Sequence, residues 1–394
     1  MGGSPVERNH WLLPDGIEEL LPPRARVLEL VRRRLLDVFD SWGYELVMPP
    51  FVEFRDGLLS GVGADLEVDT FTLTDHVSGR LLGVRADITP QAARIDTHQL
   101  RTDRPQRLCY AGTVLRARVE APGAARNPVQ IGAELFGHSG LEADREIIEL
   151  MLAVCQAAGV SEVFLDIGHV GVFRALATAA GLLPSVEDAL FDALQRKSIA
   201  DIESLLGQAD VSPALASAMA ALARLNGGVE VIAEARNELA AAPASVGVAL
   251  DELEQIASAL VADGVAVHVD LAELRGYRYQ TGIVFAAYVP GTAREIARGG
   301  RYDQIGAQFG VARPATGFSA DLRDLAAVGG AFNTPGPAEA VFAPADADRA
   351  AVAELRNAGR RVVVALGADD SPATTGCTHQ LVERNGRWVA KPTE

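Results

Sequence analysis

The composition of the chain is that of a globular protein. Its 394 residues are 48% hydrophobic and 22% charged, and the formal net charge is −16. Such a chain can bury one large core and carry a small second domain. It has no apolar run of the roughly 18 residues that a membrane helix needs. Its acidity counts against nucleic acid as the main partner, because phosphates are bound through Lys and Arg.

The amphipathic and β-type spacing of apolar residues predicts the secondary structure in chain order. In the first half it predicts a helix over 23–42, a β-like stretch over 44–54, strands over 69–73 and 81–85, a helix from Thr89, strands over 106–119 and 128–138, a helix over 141–159 and a strand over 163–167. Further on it predicts a helical insertion over about 171–264, strands over 265–271 and 282–289, and a helix near 315–328.

Glycine, asparagine and proline predict a linker over 329–337. Beyond it the pattern predicts a strand over 340–342, a helix over 349–357, a strand over 361–366 and a hairpin around Asn385-Gly386. Antiparallel strands flanked by helices make the predicted class α+β. We therefore expect a core domain over 1–328, the linker, and a small C-terminal α/β domain over 338–394.

Cysteine, histidine and the N-terminus give negative predictions. The three cysteines lack CxxC spacing and the histidines lack paired spacing, so neither a disulfide framework nor a metal site is predicted. No cofactor is predicted either. Residues 1–10 lack the apolar run of a secretory signal, so a cytoplasmic location is predicted.

Polar residues at a predicted strand-to-helix transition form the first candidate site. Asp87 and Thr89 lie there, and both residue types are natural helix caps, so a purely structural role is the competing interpretation. A second candidate lies on the predicted hairpin that follows. Side chains alternate along a strand, so Gln130 and Glu134 share one face, beside Arg116. A carboxylate and an amide there could hold a ligand, although a solvated sheet face remains the alternative.

Two arginine- and tyrosine-rich stretches complete the set. The first reads Arg-Gly-Tyr-Arg-Tyr-Gln-Thr-Gly over 275–282, and the second reads Arg-Gly-Gly-Arg-Tyr-Asp over 298–303. Paired glycines allow a ligand to approach the backbone closely, but each pair alone is a weak signal.

In this order, over about 13–325, these stretches resemble class II aminoacyl-tRNA synthetases and, within them, the histidyl enzymes. Residues 42–54, 110–137 and 317–325 resemble motifs 1, 2 and 3, and the two arginine-rich stretches resemble peptides peculiar to the histidyl enzymes. The resemblance implies a class II antiparallel sheet and a homodimer through motif 1. It also implies a histidine pocket of Asp87, Thr89, Arg116, Gln130, Glu134, Arg275, Tyr279 and Tyr302.

Departures from the synthetase pattern fall on the nucleotide and tRNA sides. Asp324 stands in place of the motif 3 arginine that grips ATP, and Arg118 replaces a motif 2 glutamate. The carboxylate of Asp324 would repel a triphosphate. The neighbouring Arg323 would point away from the nucleotide site if this segment is helical. Gln280 replaces a pocket tyrosine. Only 338–394 follow the linker, where the synthetases have a larger anticodon-binding domain.

This combination resembles the regulatory-subunit family of ATP phosphoribosyltransferases, the synthetase paralogues of histidine biosynthesis. The resemblance implies a non-catalytic subunit, with no catalytic residues of its own, that assembles with a short catalytic subunit in the first step of the pathway. It implies feedback regulation by L-histidine, and no tRNA or membrane partner. Two alternatives remain: a ligase that adenylates an amino acid for a non-tRNA acceptor, and a scaffold whose pocket is vestigial.

Overall fold

A computed structural model describes residues 11–60, 64–100, 102–119, 124–310, 312–333 and 339–393. The chain divides into two compact units, one ending at Ala331 and the other beginning at Phe332. The first ten residues, where no secretory signal is expected, and residues 334–337 of the expected linker lie outside the described residues. Among the described residues, no helix is long and apolar enough to cross a bilayer.

The larger unit is built on a nine-stranded sheet. Its strands and those of a small neighbouring sheet are, in chain order, β1 (Glu45–Leu46), β2 (Val52–Phe54), β3 (Thr72–Thr74), β4 (Leu81–Val84), β5 (Gln106–Thr113), β6 (Val129–Phe136), β7 (Phe164–His169), β8 (Asn226–Gly227), β9 (Ala266–Asp270), β10 (Ile283–Tyr288), β11 (Ala297–Arg301) and β12 (Ala315–Asp321). The large sheet has the order β1-β5-β6-β12-β11-β10-β7-β9-β8, and β2-β4-β3 form the small one. Within the large sheet only the pairs β1–β5 and β7–β9 are parallel, so the predicted α+β class is confirmed.

Helices surround the large sheet. In chain order they are α1 (Arg24–Ser41), α2 (Arg55–Leu58), α3 (Ala64–Asp69), α4 (Thr89–Arg94), α5 (Leu141–Ala157), α6 (Val170–Ala180), α7 (Pro184–Gln195), α8 (Ile199–Gln208), α9 (Pro213–Leu222), α10 (Val231–Glu238), α11 (Ala244–Ala262) and α12 (Leu322–Val328). The buried positions of α1, Leu28, Val31, Leu35 and Phe39, recur every three or four residues and make one apolar face. This face packs on α5 and α12, and Phe39 approaches Phe318 of β12 with 6.2 Å between ring centroids.

The helical region predicted over about 171–264 contains the helices α6 to α11, joined by loops and with the two-residue strand β8 between α9 and α10. Its last helix packs on β7 and β9, so this region covers part of the sheet.

Two predicted elements are wrong. Residues 315–321 form β12 and not the start of a helix, because this segment pairs with β6 on one side and β11 on the other. The helix begins only at Leu322, where the Asp321 side chain caps it by accepting the Arg323 N–H at 2.9 Å. Residues 69–73 are not one strand, since α3 ends at Asp69 and β3 begins at Thr72.

The smaller unit contains a four-stranded sheet and one described helix. Its elements are β13 (Ala340–Ala343), α13 (Arg349–Asn357), β14 (Arg361–Val364), β15 (His379–Arg384) and β16 (Arg387–Pro392). The sheet order is β14-β13-β15-β16. The predicted hairpin is confirmed: Asn385 and Gly386 have φ of 51° and 73°, as the favoured two-residue turn requires.

Candidate functional site

A cavity of about 330 Å³ lies on one face of the nine-stranded sheet. The alternation along β6 sets this face: Gln130 and Glu134 line the cavity, whereas Ile131 and Leu135 point to the helix-covered side. The residues predicted as a histidine pocket all line this one cavity, and they are Asp87, Thr89, Arg116, Gln130, Glu134, Arg275, Tyr279 and Tyr302.

Glu134 lies at the base of the cavity with only 1% of its surface exposed. Its Oε1 accepts the Tyr110 hydroxyl at 2.9 Å, and its Oε2 accepts the Tyr302 hydroxyl. Burial raises the pKa of the Glu134 carboxyl to about 8, against the opposing effect of the two tyrosine donors, and the nearby Asp87 adds to the rise. A ligand that brings a cationic N–H donor would favour the charged form of this buried carboxyl group.

An oxygen-rich wall adjoins Glu134. Gln130 Nε2 donates to Asp87 Oδ1 at 2.8 Å, and Gln130 Oε1 accepts the Ile88 N–H at 2.9 Å. Asp87 Oδ1 also accepts the Thr89 N–H at 2.9 Å, where α4 begins. The N-cap of α4 is Ile88, and neither Asp87 nor Thr89 occupies it; Asp87 lies one residue earlier, and its side chain both accepts from the first helical N–H and lines the cavity.

Glycines make room for this network. A Cβ on Gly317 would lie 1.6 Å from Glu134 Oε2, and one on Gly132 would lie 2.4 Å from the Phe318 carbonyl oxygen and 2.6 Å from the Tyr110 hydroxyl. No side chain fits at either position, so the floor of the cavity needs glycine in both strands.

The two predicted tyrosines differ in position. Tyr302 is buried against Glu134, whereas Tyr279 is 46% exposed on the loop between β9 and β10. The second hydroxyl on Glu134 comes instead from Tyr110, which the sequence reasoning missed. The hairpin register could have identified it: Tyr110 is paired with Gly132, so its side chain lies on the same face of the sheet as Gln130 and Glu134.

Arg275 is held by acidic side chains that the sequence reasoning also missed. Its Nη2 lies 2.7 Å from Glu273 Oε2, and its Nη1 lies 3.0 Å from Glu295 Oε2. Its Nη2 also donates to the Tyr288 hydroxyl. The guanidinium charge of Arg275 is thus compensated by two carboxylates of the same chain.

A second cavity of about 290 Å³ adjoins the first and shares five lining residues with it, Arg116, Gln130, Arg275, Arg298 and Ser319. Two more of its arginines, like Arg275, are paired with carboxylates of the same chain. Arg294 Nη2 lies 3.0 Å from Asp324 Oδ2, and Arg298 Nη1 lies 3.1 Å from Glu295 Oε1.

Asp321 lines the second cavity as well, and burial raises its pKa to about 6. Arg323, as expected, does not line it, and its Nη1 lies 3.5 Å from Glu18. The second departure from the motifs is also paired, since Arg118 Nε donates to Asp69 Oδ1 at 2.8 Å. Asp324 and Arg118, the two residues that depart from the synthetase motifs, therefore form ion pairs beside the first cavity.

The arginine of the Arg-Tyr-Asp stretch has a structural role. Arg301 is 7% exposed and forms a buried ion pair with Asp144, with 2.8 Å between Nη2 and Oδ2. It also donates to the carbonyl oxygens of His138 and Gly140. It ties β11 to the start of α5 and does not line either cavity.

Known families match both units of the chain. The family model described as histidyl-tRNA synthetase matches residues 16–325, and that described as ATP phosphoribosyltransferase subunit HisZ C-terminal domain matches residues 338–391. The solved ATP phosphoribosyltransferase regulatory subunit/histidyl-tRNA synthetase from Bacillus halodurans has a TM-score of 0.80 at 27% identity, covering 93% of this chain and 96% of that one. The histidyl-tRNA synthetase from Nostoc shares the fold, with a TM-score of 0.76 at 19% identity over 97% of each chain.

Relatives along the whole chain agree. The ATP phosphoribosyltransferase regulatory subunit of Alkalilimnicola ehrlichii is 54% identical over 391 residues, which span 98% of each chain. That of Chromohalobacter salexigens is 50% identical over 392 residues, again 98% of each. With its synthetase-type core and its HisZ-type C-terminal unit, the chain belongs to the family of ATP phosphoribosyltransferase regulatory subunits.

Proposed function

We propose that the chain is a non-catalytic regulatory subunit that supports ATP phosphoribosyltransferase in the first step of histidine biosynthesis, and that the first cavity binds L-histidine as the effector. The observation that carries the proposal is the contrast between the two cavities. The first presents buried acceptors around Glu134, whereas three of the four arginines that line the second, Arg275, Arg294 and Arg298, are paired with carboxylates.

The dimensions and chemistry of the first cavity suit an amino acid. Its volume of about 330 Å³ is at the small end of ligand pockets, which range over about 300–1,000 Å³. The Asp87, Gln130 and Glu134 oxygens suit the ammonium and imidazole N–H groups of histidine. Arg116, at the junction of the two cavities, can pair with the ligand carboxylate.

A ligase that adenylates an amino acid is the less favoured function. Adenylation needs net positive charge around the triphosphate, since the protein contributes mainly positioning and electrostatics. Asp324 is paired with Arg294, and Glu295 with Arg275 and Arg298, and Asp321 adds a third carboxyl group to the lining of the second cavity. Most of the positive charge there is therefore compensated, which disfavours binding of ATP in a reactive position.

The proposed partners are a short-form catalytic subunit and a second copy of this chain. Membership of the family implies a catalytic partner. A homodimer through the motif 1 region, residues 42–54, agrees with the exposure of Met48 at 76% and of Phe51 at 42% in the segment that follows edge strand β1. We also propose a cytoplasmic location, where the biosynthetic reaction takes place.

Calorimetric titration of L-histidine into the purified protein tests the binding proposal. We expect saturable binding that Gln130→Leu weakens about tenfold or more, because the variant loses a buried hydrogen bond to a charged group. Gln156→Leu makes the same change at the exposed end of α5 and is expected to bind as the wild type does. Absence of binding would support the vestigial-scaffold alternative, whereas equal binding by both variants would mean that histidine binds outside the first cavity.

Two further assays test the regulatory role. We expect no histidine-dependent ATP–pyrophosphate exchange, and exchange at synthetase-like rates would refute the non-catalytic assignment. We also expect co-elution with the short-form catalytic subunit in size-exclusion chromatography and stimulation of its phosphoribosyltransferase activity. A catalytic subunit that neither binds this chain nor responds to it would refute the assembly.

A further inference from the structure

An arginine that lines both cavities is held through its backbone. Arg116 lies beyond the end of β5 at Thr113, outside the strands of the large sheet. Its N–H donates to the Arg126 carbonyl oxygen at 2.8 Å, and its carbonyl oxygen accepts from Arg126 Nε at 3.0 Å. Both backbone polar groups of Arg116 are therefore bonded to one residue, so Arg126 sets the place from which the Arg116 side chain projects.

Arg126 is itself held by a short segment near the N-terminus, residues 15–18, which we call the strap. The Arg126 N–H donates to the Gly16 carbonyl oxygen at 2.7 Å, and Arg126 Nη1 donates to that of Asp15 at 3.1 Å. The next side chain, that of Asn127, bonds both backbone groups of Glu18, each at 3.0 Å. Gly16 has a φ of 75°, and a Cβ there would lie 2.9 Å from Arg126 Cγ and Cδ. The strap therefore packs directly against the Arg126 side chain and limits its movement.

The contacts of Arg126 depend on the shape of its guanidinium. Its Nε and Nη1 donate to carbonyl oxygens of two segments that are distant in sequence, and the group lies over the Phe71 ring with 5.1 Å to the ring centre. A planar guanidinium can hold two acceptors in fixed directions and stack on a ring at the same time, which the compact ammonium of lysine cannot. Arg126 lines neither cavity, and Arg116 is the lining residue to which it is bonded.

We infer that Arg126 is a positioning residue, which holds the backbone of Arg116 so that the Arg116 guanidinium meets the carboxylate of the bound amino acid. The inference rests on the proposed binding of L-histidine and adds the residue that keeps its carboxylate partner in place. Without Arg126 the Arg116 side chain would start from a less ordered backbone. An arginine that must be ordered on binding contributes less affinity than one that is already in position.

Two ligands that differ in the carboxylate test this role. L-Histidine and histamine share the imidazole ring and the amine, but histamine lacks the carboxylate. We expect the wild-type chain to bind histidine about tenfold or more tightly than histamine in calorimetry, the effect of one hydrogen-bonded charge pair. Arg126→Leu is expected to weaken histidine binding about tenfold and to change histamine affinity by less than about twofold. Arg196→Leu, the same change at the exposed end of α7, is expected to bind both ligands as the wild type does.

Two further variants distinguish positioning from charge. Arg126→Lys keeps the positive charge but lacks the planar fork, so it is expected to lose the preference for histidine as the leucine variant does. In an Arg116→Leu chain, which lacks the guanidinium that meets the carboxylate, adding Arg126→Leu is expected to leave the ratio of the two affinities unchanged, because residues that act as one unit are not additive. A further change of the ratio in the double variant would refute action through Arg116.

The outcomes separate this inference from the proposal on which it rests. Histamine affinity is the internal control for folding, because a general loss of structure would weaken both ligands. The positioning role is refuted, and histidine binding stands, if Arg126→Leu or Arg126→Lys keeps the full preference for histidine, if Arg126→Leu weakens both ligands equally, or if the wild type binds both equally. If the wild type binds neither ligand, both the positioning role and the proposed binding are refuted.

Discussion

Replacing Glu134 by glutamine is expected to remove a loss of stability that the wild type suffers as pH rises. Burial raises the pKa of this carboxyl from 4.5 to about 8 in the native chain. The native state therefore binds the proton more tightly than the unfolded state does. The stability from this group is fully present below pH 4.5, falls as pH rises, and is lost above about pH 8.

The size of the effect follows from the two pKa values. One pKa unit corresponds to about 1.4 kcal/mol, so the full loss is at most about 5 kcal/mol, of which roughly 3–4 kcal/mol falls between pH 5 and pH 8. Glutamine carries no proton in this range and keeps an oxygen that can accept from Tyr110 or Tyr302. The wild type is expected to lose this amount relative to Glu134→Gln over the same interval.

Urea unfolding of both proteins at several pH values measures the difference. Other titrating groups, such as Asp321, are common to both chains and cancel in the comparison. Glu203→Gln, the same change at an exposed position of α8, is expected to track the wild type at every pH. The reasoning is refuted if the difference between the wild type and Glu134→Gln changes by less than about 1 kcal/mol from pH 5 to pH 8, or if the wild type gains stability relative to the variant.

Three further changes test other parts of the site. Gly317→Ala is expected to abolish histidine binding in calorimetry, because its Cβ would lie 1.6 Å from Glu134 Oε2, and wild-type affinity would contradict the proposed floor. Asp144→Ala removes the buried carboxylate of Arg301 and leaves it only Asp303, whose Oδ1 lies 3.2 Å from Nη1; it is expected to lower the free energy of unfolding in urea by about 3 kcal/mol, whereas a loss under 1 kcal/mol would show that Asp303 or water replaces the pair. Asp324→Arg restores a motif 3 arginine but is expected to show no histidine-dependent ATP–pyrophosphate exchange, since the carboxylates around the neighbouring arginines remain. Measurable exchange would mean that this single charge had blocked the reaction.

The order of the motifs was enough to predict which side chains meet in the cavity, because a shared fold brings the same positions together. The hydrogen-bond partners were less accessible. Tyr110 and Glu273 are ordinary residues of a strand and a loop in the sequence, and only the sheet register and the loop path bring them to Glu134 and Arg275.

Local pattern also failed at 315–321. Its apolar residues and alanines suit either a helix or a buried strand, and pairing with strands on both sides decides the outcome.

The nucleotide side shows a second limit of reasoning from single residues. Asp324 predicted repulsion of a triphosphate, which treats the carboxylate as an isolated charge. In the fold it is paired with Arg294, 30 positions earlier in the chain, so its effect is to neutralise a cation as well as to add an anion. The same holds for Arg118, whose charge is directed to Asp69. Which charge a substitution cancels depends on neighbours that are distant in sequence.

A regulatory role requires that ligand binding alter the protein beyond the cavity. A ligand shifts a conformational equilibrium only by its difference in affinity between two states. The turn over 276–280 connects the cavity to the helical region, because Arg174 of α6 donates to the carbonyl oxygens of both Tyr277 and Gln280, while the Gln280 side chain lines the cavity. If the first cavity binds its effector as proposed, a ligand that displaced this turn would change these hydrogen bonds and so affect α6 without any chemical step in the site.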